Sequence, residues 1–142
     1  MKKMKKLLML FLVASVTLVS CNKDDDSGSG SIEGTWEFSK YGGILSGQEF
    51  LVDYEHTAGC NKDFIEIKSG GTIVDHYFYD DGQGCYEESE TGTWVKDGNS
   101  FTATYSGYTE GGEILELSNT TLKIKATDSD TNEVGILVFT RK

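Results

Sequence analysis

The sequence predicts an all-β fold, a single antiparallel up-and-down β-barrel of about eight strands. Three observations carry that prediction. Runs rich in β-branched and aromatic residues sit between short turn signals. The 142-residue chain holds 17 glycines and no proline, so it is punctuated often while no strand loses a ladder donor. Alternation is clean in Leu122-Lys123-Ile124-Lys125-Ala126 and in Phe101-Thr102-Ala103-Thr104-Tyr105, with apolar residues on one face.

The strands follow in order from Ser31. Glu33–Ser39 comes first and contains Gly34-Thr35-Trp36. Residues 40–61 carry Gly42, Gly43, Gly47 and Gly59 and read as a long first loop with a strand, Gln48–Tyr54, in its second half. Asp63–Lys68 alternates through Ile65 and Ile67, and Ser69-Gly70-Gly71 turns the chain into Thr72–Tyr79. Glu90–Lys96 holds a second Gly-Thr-Trp, at Gly92-Thr93-Trp94. Lys96-Asp97-Gly98-Asn99, whose Asp-Gly suits positive φ, joins it to Ser100–Ser106. Gly112–Leu117 and Thr121–Thr127 follow, then a polar link, then Glu133–Arg141. Sequential strands on tight turns favour a meander, and closing a meander into a barrel removes its exposed edges. An immunoglobulin sandwich expects the order Cys, Trp, Cys. Here Trp36 precedes Cys60 and Trp94 follows Cys85. Val134-Gly135-Ile136-Leu137-Val138-Phe139 is apolar on both faces, so the first loop or an end segment is expected to cover its outer face.

The N-terminus has its own chemistry. Lys2, Lys3, Lys5 and Lys6 precede an apolar run from Leu7 to Val19, which closes on Leu18-Val19-Ser20-Cys21. That pattern is a secretory signal peptide, too short for a membrane span of about 20 residues. Ending on cysteine, it resembles a bacterial lipobox, which implies diacylglycerol on the Cys21 thiol and cleavage before it. The expected plan is a signal peptide over 1–20, a lipidated Cys21 with a flexible acidic Ser/Gly tether over 21–31, and the barrel over 32–142. Two or more acyl chains hold a protein stably on a membrane. Lys23-Asp24-Asp25-Asp26 resembles the signal that sends some Gram-negative lipoproteins to the outer leaflet. The expected location is therefore the outer membrane, lipid-anchored and exposed at the cell surface, with a periplasm-facing position in the same membrane as the alternative.

Charge and cysteine narrow the partners. Loss of the four leader lysines takes the basic count from 13 to 9 against 23 acidic residues, a net charge of −14. Such a chain is no nucleic-acid binder and does not adsorb electrostatically to anionic lipid. With Cys21 acylated, Cys60 and Cys85 remain as a pair in an oxidising compartment, where a disulfide is expected. Two buried thiols, or a metal site with His56 and His76, are the alternatives. No closely spaced ligand pair supports the metal.

Catalytic signals are missing. There is no Gly-x-Ser-x-Gly elbow and no glycine-rich phosphate loop. His76, between Asp75 and Tyr77 on a strand, reads as a hydrogen-bonded surface histidine. Asp128-Ser129-Asp130-Thr131-Asn132 begins like a calcium loop, but Glu133 stands where glycine is needed and no closing glutamate follows. No enzyme activity, cofactor or metal is expected.

Gly34-Thr35-Trp36 resembles the Gly-x-Trp signature that plugs the closed end of lipocalin barrels, and Arg141 stands where that family packs an arginine across the tryptophan. With Cys60, Ile65-Glu66-Ile67, Gly71, Cys85, Gly92-Thr93-Trp94, Leu115–Lys125 and the closing Phe139-Thr140-Arg141, the chain is similar to the short lipocalin-like domain of bacterial surface lipoproteins. It is shorter than a full lipocalin and lacks that family's middle motif. The resemblance implies a barrel-closing set of Gly34, Trp36 and Arg141. It also implies a small apolar or amphipathic ligand. Residues facing ligand or core are expected among Ile65, Ile67, Trp94, Phe101, Tyr105, Leu122 and Ile124. The alternative is a structural or interaction module, an accessory subunit of a surface complex with a protein partner.

Overall fold

The computed structural model describes residues 30–127 and 131–142. The expected leader, Cys21, the expected tether up to residue 29 and Asp128-Ser129-Asp130 lie outside the described residues. The rest forms strands β1 (Gly34–Leu45), β2 (Gln48–Asp53), β3 (Phe64–Lys68), β4 (Thr72–Asp80), β5 (Cys85–Asp97), β6 (Ser100–Tyr105), β7 (Tyr108–Leu117), β8 (Thr121–Thr127) and β9 (Val134–Arg141). All pair antiparallel in the order β2-β1-β3-β4-β5-β6-β7-β8-β9, and a β1–β9 ladder closes the sheet into an eight-stranded barrel with β2 outside it.

The long first loop is not there. Residues 40–45 continue β1, and Ser46-Gly47 turns it directly into β2. Both turn residues have positive φ, 53° and 78°, as a two-residue hairpin requires. β1 is long enough to serve two partners on one edge. Gly34–Glu37 pairs with β3, and Lys40–Leu45 pairs with β2. A register shift between Phe38 and Lys40 on the β9 side bends the strand. Gly42 permits the bend to stay tight, because a Cβ there would lie 1.8 Å from the Phe50 carbonyl oxygen.

That bend gives β9 its cover. Glu49 of β2 reaches Lys123 of β8 at 2.5 Å, although β1 and β9 stand between them in the sheet. The β1–β2 hairpin therefore folds over the outside of β9, where Ile136 is 1% exposed. The apolar outer face of the last strand is buried by the chain itself.

The true loop, 54–63, packs against β4. Cys60 is disulfide-bonded to Cys85, and Thr57 Oγ1 donates to the Phe78 carbonyl. Buried Asp63 accepts from Tyr54 Oη at 2.8 Å and from the Phe78 amide at 2.7 Å. His56 Nδ1 accepts from the Asp63 amide, which leaves the ring's other nitrogen to donate to the Phe38 carbonyl. β5 and β7 also begin earlier than expected, at Cys85 and Tyr108. The core runs along the barrel axis and includes Trp36, Ile67, Ile73, Leu122 and Phe139.

Candidate ligand cavity

One end of the barrel is plugged. Trp36 is wholly buried and donates from Nε1 to the Ile32 carbonyl at 2.7 Å. The Arg141 guanidinium lies 4.0 Å from the indole centroid. Its nitrogens donate to the carbonyls of Asn119, Glu33 and Ser31. One arginine thus ties the segment entering β1 to the β8 turn. Gly34 makes room for it: φ is 142°, and a Cβ would lie 2.3 Å from an Arg141 nitrogen.

Above this plug the barrel encloses a cavity of about 190 Å³. Its apolar lining includes Phe38, Ile65, Ile73, Phe101, Ile124 and Phe139. A wider opening of about 720 Å³ shares Glu110, Gly111, Ala126 and Leu137 with it. Pockets for drug-sized ligands measure about 300–1,000 Å³, so the cavity alone falls below that scale and reaches it only together with its mouth. Gly92, on the inward phase of β5, leaves space for the Tyr105 ring, which stands 2.8 Å from where a Cβ would be.

One wall is polar. Asp75, 7% exposed, accepts from Tyr105 Oη at 2.8 Å and from Tyr77 Oη at 3.3 Å. Burial pushes its carboxyl above the ordinary carboxylate value against these two hydrogen bonds, with the Glu90 charge adding to the rise. Burial and the Asp75 carboxylate push the Tyr105 hydroxyl upward as well. Tyr108 donates to Glu90 at 2.7 Å, and that hydrogen bond, ahead of burial, takes its hydroxyl up to about 12. Glu110 stands at the rim, open to water on one side. Its carboxyl is raised by burial on the other side and then by Asp75 and Glu90.

The cavity divides the expected residues. Ile65, Phe101, Tyr105 and Ile124 line it. Ile67 and Leu122 do not; they are core residues beside the plug. Trp94 is half-buried and donates from Nε1 to the Lys68 carbonyl, also away from the cavity. His76 lies outside the barrel, between Glu66 and Glu87 and stacked on Phe64. Asp75, Tyr77, Glu90 and Glu110 were not foreseen. The signal for Asp75 was present, since it shares the phase of inward Ile73. Glu90 shares the phase of Gly92 and Trp94 in the same way. Glu110 lay outside the expected seventh strand and had no phase to read.

A closed antiparallel barrel, plugged at one end by tryptophan and arginine and open at the other over an apolar cavity, defines a calyx. Comparison with known proteins places it more closely. The lipocalin-like domain family matches residues 32–124, and the chain belongs to that family. The fold is shared with a lipocalin-like protein from Bacteroides uniformis ATCC 8492, at 13% identity and a TM-score of 0.54, over 80% of this chain and 100% of that one. An uncharacterized protein from Bacteroides eggerthii DSM 20697 aligns at 12% identity and a TM-score of 0.51, over 79% and 100%. Lobster apocrustacyanin A1 aligns at 13% identity and a TM-score of 0.46, over 78% and 60%. No curated protein sequence matches the chain. Barrels of this family commonly bind small hydrophobic ligands and are generally not enzymes.

Proposed function

We propose that this protein is a lipid-anchored lipoprotein of the outer membrane, held by Cys21 and displayed at the cell surface, whose barrel binds a small apolar or amphipathic ligand. The leader ending on Cys21 and the acidic residues after it support the anchor and its location. The binding reading rests on one observation, the apolar cavity of about 190 Å³ that opens to solvent above the Trp36–Arg141 plug. A barrel built only for stability gains nothing from such a space, because empty volume in a core is destabilising.

A second reading, an accessory subunit that docks on a protein partner, draws support from the β1–β2 hairpin. Leu45, Phe50 and Val52 there are 70%, 52% and 49% exposed. Native mass spectrometry of the chain purified from a lipoprotein-making host separates the readings. A discrete added mass that leaves on denaturation is the expected result for the calyx. A bare chain mass, with partner proteins recovered in stoichiometric amounts from the same membrane, would support the docking reading instead.

A further inference from the structure

Among the described residues, no lysine or arginine pairs with the carboxylates of the calyx. Asp75 on β4 and Glu90 on β5 are directly opposite in the ladder, both on the inward phase. Like charges placed opposite one another across a strand pair are destabilising. Glu110 of β7 adds a third carboxylate and lines both the cavity and its mouth. Among the described residues, the lysine ion pairs go to Glu37, Glu49, Asp53, Glu66 and Glu113 instead. Asp75 and Glu90 receive only phenol hydroxyls, from Tyr77, Tyr105 and Tyr108, and Glu110 receives no hydrogen bond. Phenol donors satisfy lone pairs but bring no positive charge. Among the described residues, the polar end of an otherwise apolar cavity is therefore a set of carboxylates with no lysine or arginine paired to it.

We infer that the ligand of this calyx is a cationic amphipath, with a protonated amine at the mouth against Glu110 and Asp75 and its apolar part in the cavity below. This rests on the reading of the cavity as the ligand site, and it names the chemistry of the ligand's polar end. An ammonium group supplies three donors and the missing charge at once. A carboxylate at the same place would meet the like charges of Asp75 and Glu110. A metal ion is a poor fit, since among the described residues no group of three or more acidic, histidine or cysteine side chains could hold one. Burial raises the carboxyls of Asp75 and Glu110 first, and the like-charge repulsion that adds to the rise is what an incoming cation relieves.

Calorimetric titration of the full chain at neutral pH with octylammonium, 1-octanol and octanoate tests the inference, since the three probes share one tail. Octylammonium is expected to bind about tenfold more tightly than 1-octanol, with octanoate weakest. Glu110→Gln is expected to narrow the gap between octylammonium and 1-octanol severalfold. Three equal affinities, or a preference for octanoate, would overturn the cationic head group and leave the cavity reading standing. Octylammonium binding that Glu110→Gln does not weaken would mean adsorption elsewhere on the acidic surface, and would overturn the inference equally. Failure of all three probes to bind would remove the cavity reading itself.

Discussion

Arg141 and Gly34 act as one unit at the closed end. The side chain of one occupies the space the other leaves, and it packs on the indole of Trp36. Gly34→Ala forces a Cβ into a backbone at φ 142° and against the guanidinium, and is expected to cost about 2 kcal/mol. Arg141→Met loses the cation–π contact and the three carbonyl hydrogen bonds, at about 2 kcal/mol. The double substitution is expected to cost less than the sum, because both changes disrupt the same packing. Urea unfolding of the two single variants and the double variant measures this. At the open end the ionisable residues set a pH dependence. The folded chain binds a proton at Glu110 more tightly than the unfolded chain does, so its charged form weakens the fold at neutral pH. Glu110→Gln, which breaks no hydrogen bond, is expected to be more stable than the parent at pH 7. That advantage should shrink as pH falls through the raised carboxyl value toward the ordinary 4.5. Urea midpoints for both proteins across that range check the sign.

Among the elements, the loop 54–63 depends most on a covalent tie. The Cys60–Cys85 bond closes a separation of 25 residues, and replacing both cysteines with serine is expected to cost roughly 3–4 kcal/mol. In that variant, hydrogen exchange should show the amides at position 60 and at Phe78 losing protection before those of β3, because their partners lie on the tied segment. Strands whose alternation was clean, around Ile65 and Ile67 or Leu122 and Ile124, were legible in the sequence nearly to their ends. Those that failed share a physical cause. Residues 40–45 carry two glycines and pair only because β2 and β9 flank them. The first residues of β5 are exposed on both faces, so no burial pattern marked them as strand. Tyr108 to Gly111 form β7 through tertiary pairing with β6, overriding their polar, glycine-containing sequence.

For the whole molecule, the sequence made the inward phase readable but not the axial position. Ile65 and Ile67 share one face of β3, yet Ile65 lines the cavity and Ile67 packs into the plugged end. Alternation cannot separate them, because height along the barrel is set by strand tilt and stagger between neighbours. The same limit hid the polar wall, which is assembled from β4, β5, β6 and β7 only once the barrel closes. What emerges is an acidic chain around a cavity with an apolar floor and a carboxylate rim, a space suited to the apolar tail of a ligand. The most direct measurement is an NMR search for intermolecular NOEs between an octyl probe and isoleucine-methyl-labelled protein. Contacts are expected to Ile65, Ile73 and Ile124, which line the cavity, and none to Ile136 on the outer face of β9. Contacts confined to Ile44 on the exposed hairpin, or no contacts at all, would contradict this expectation.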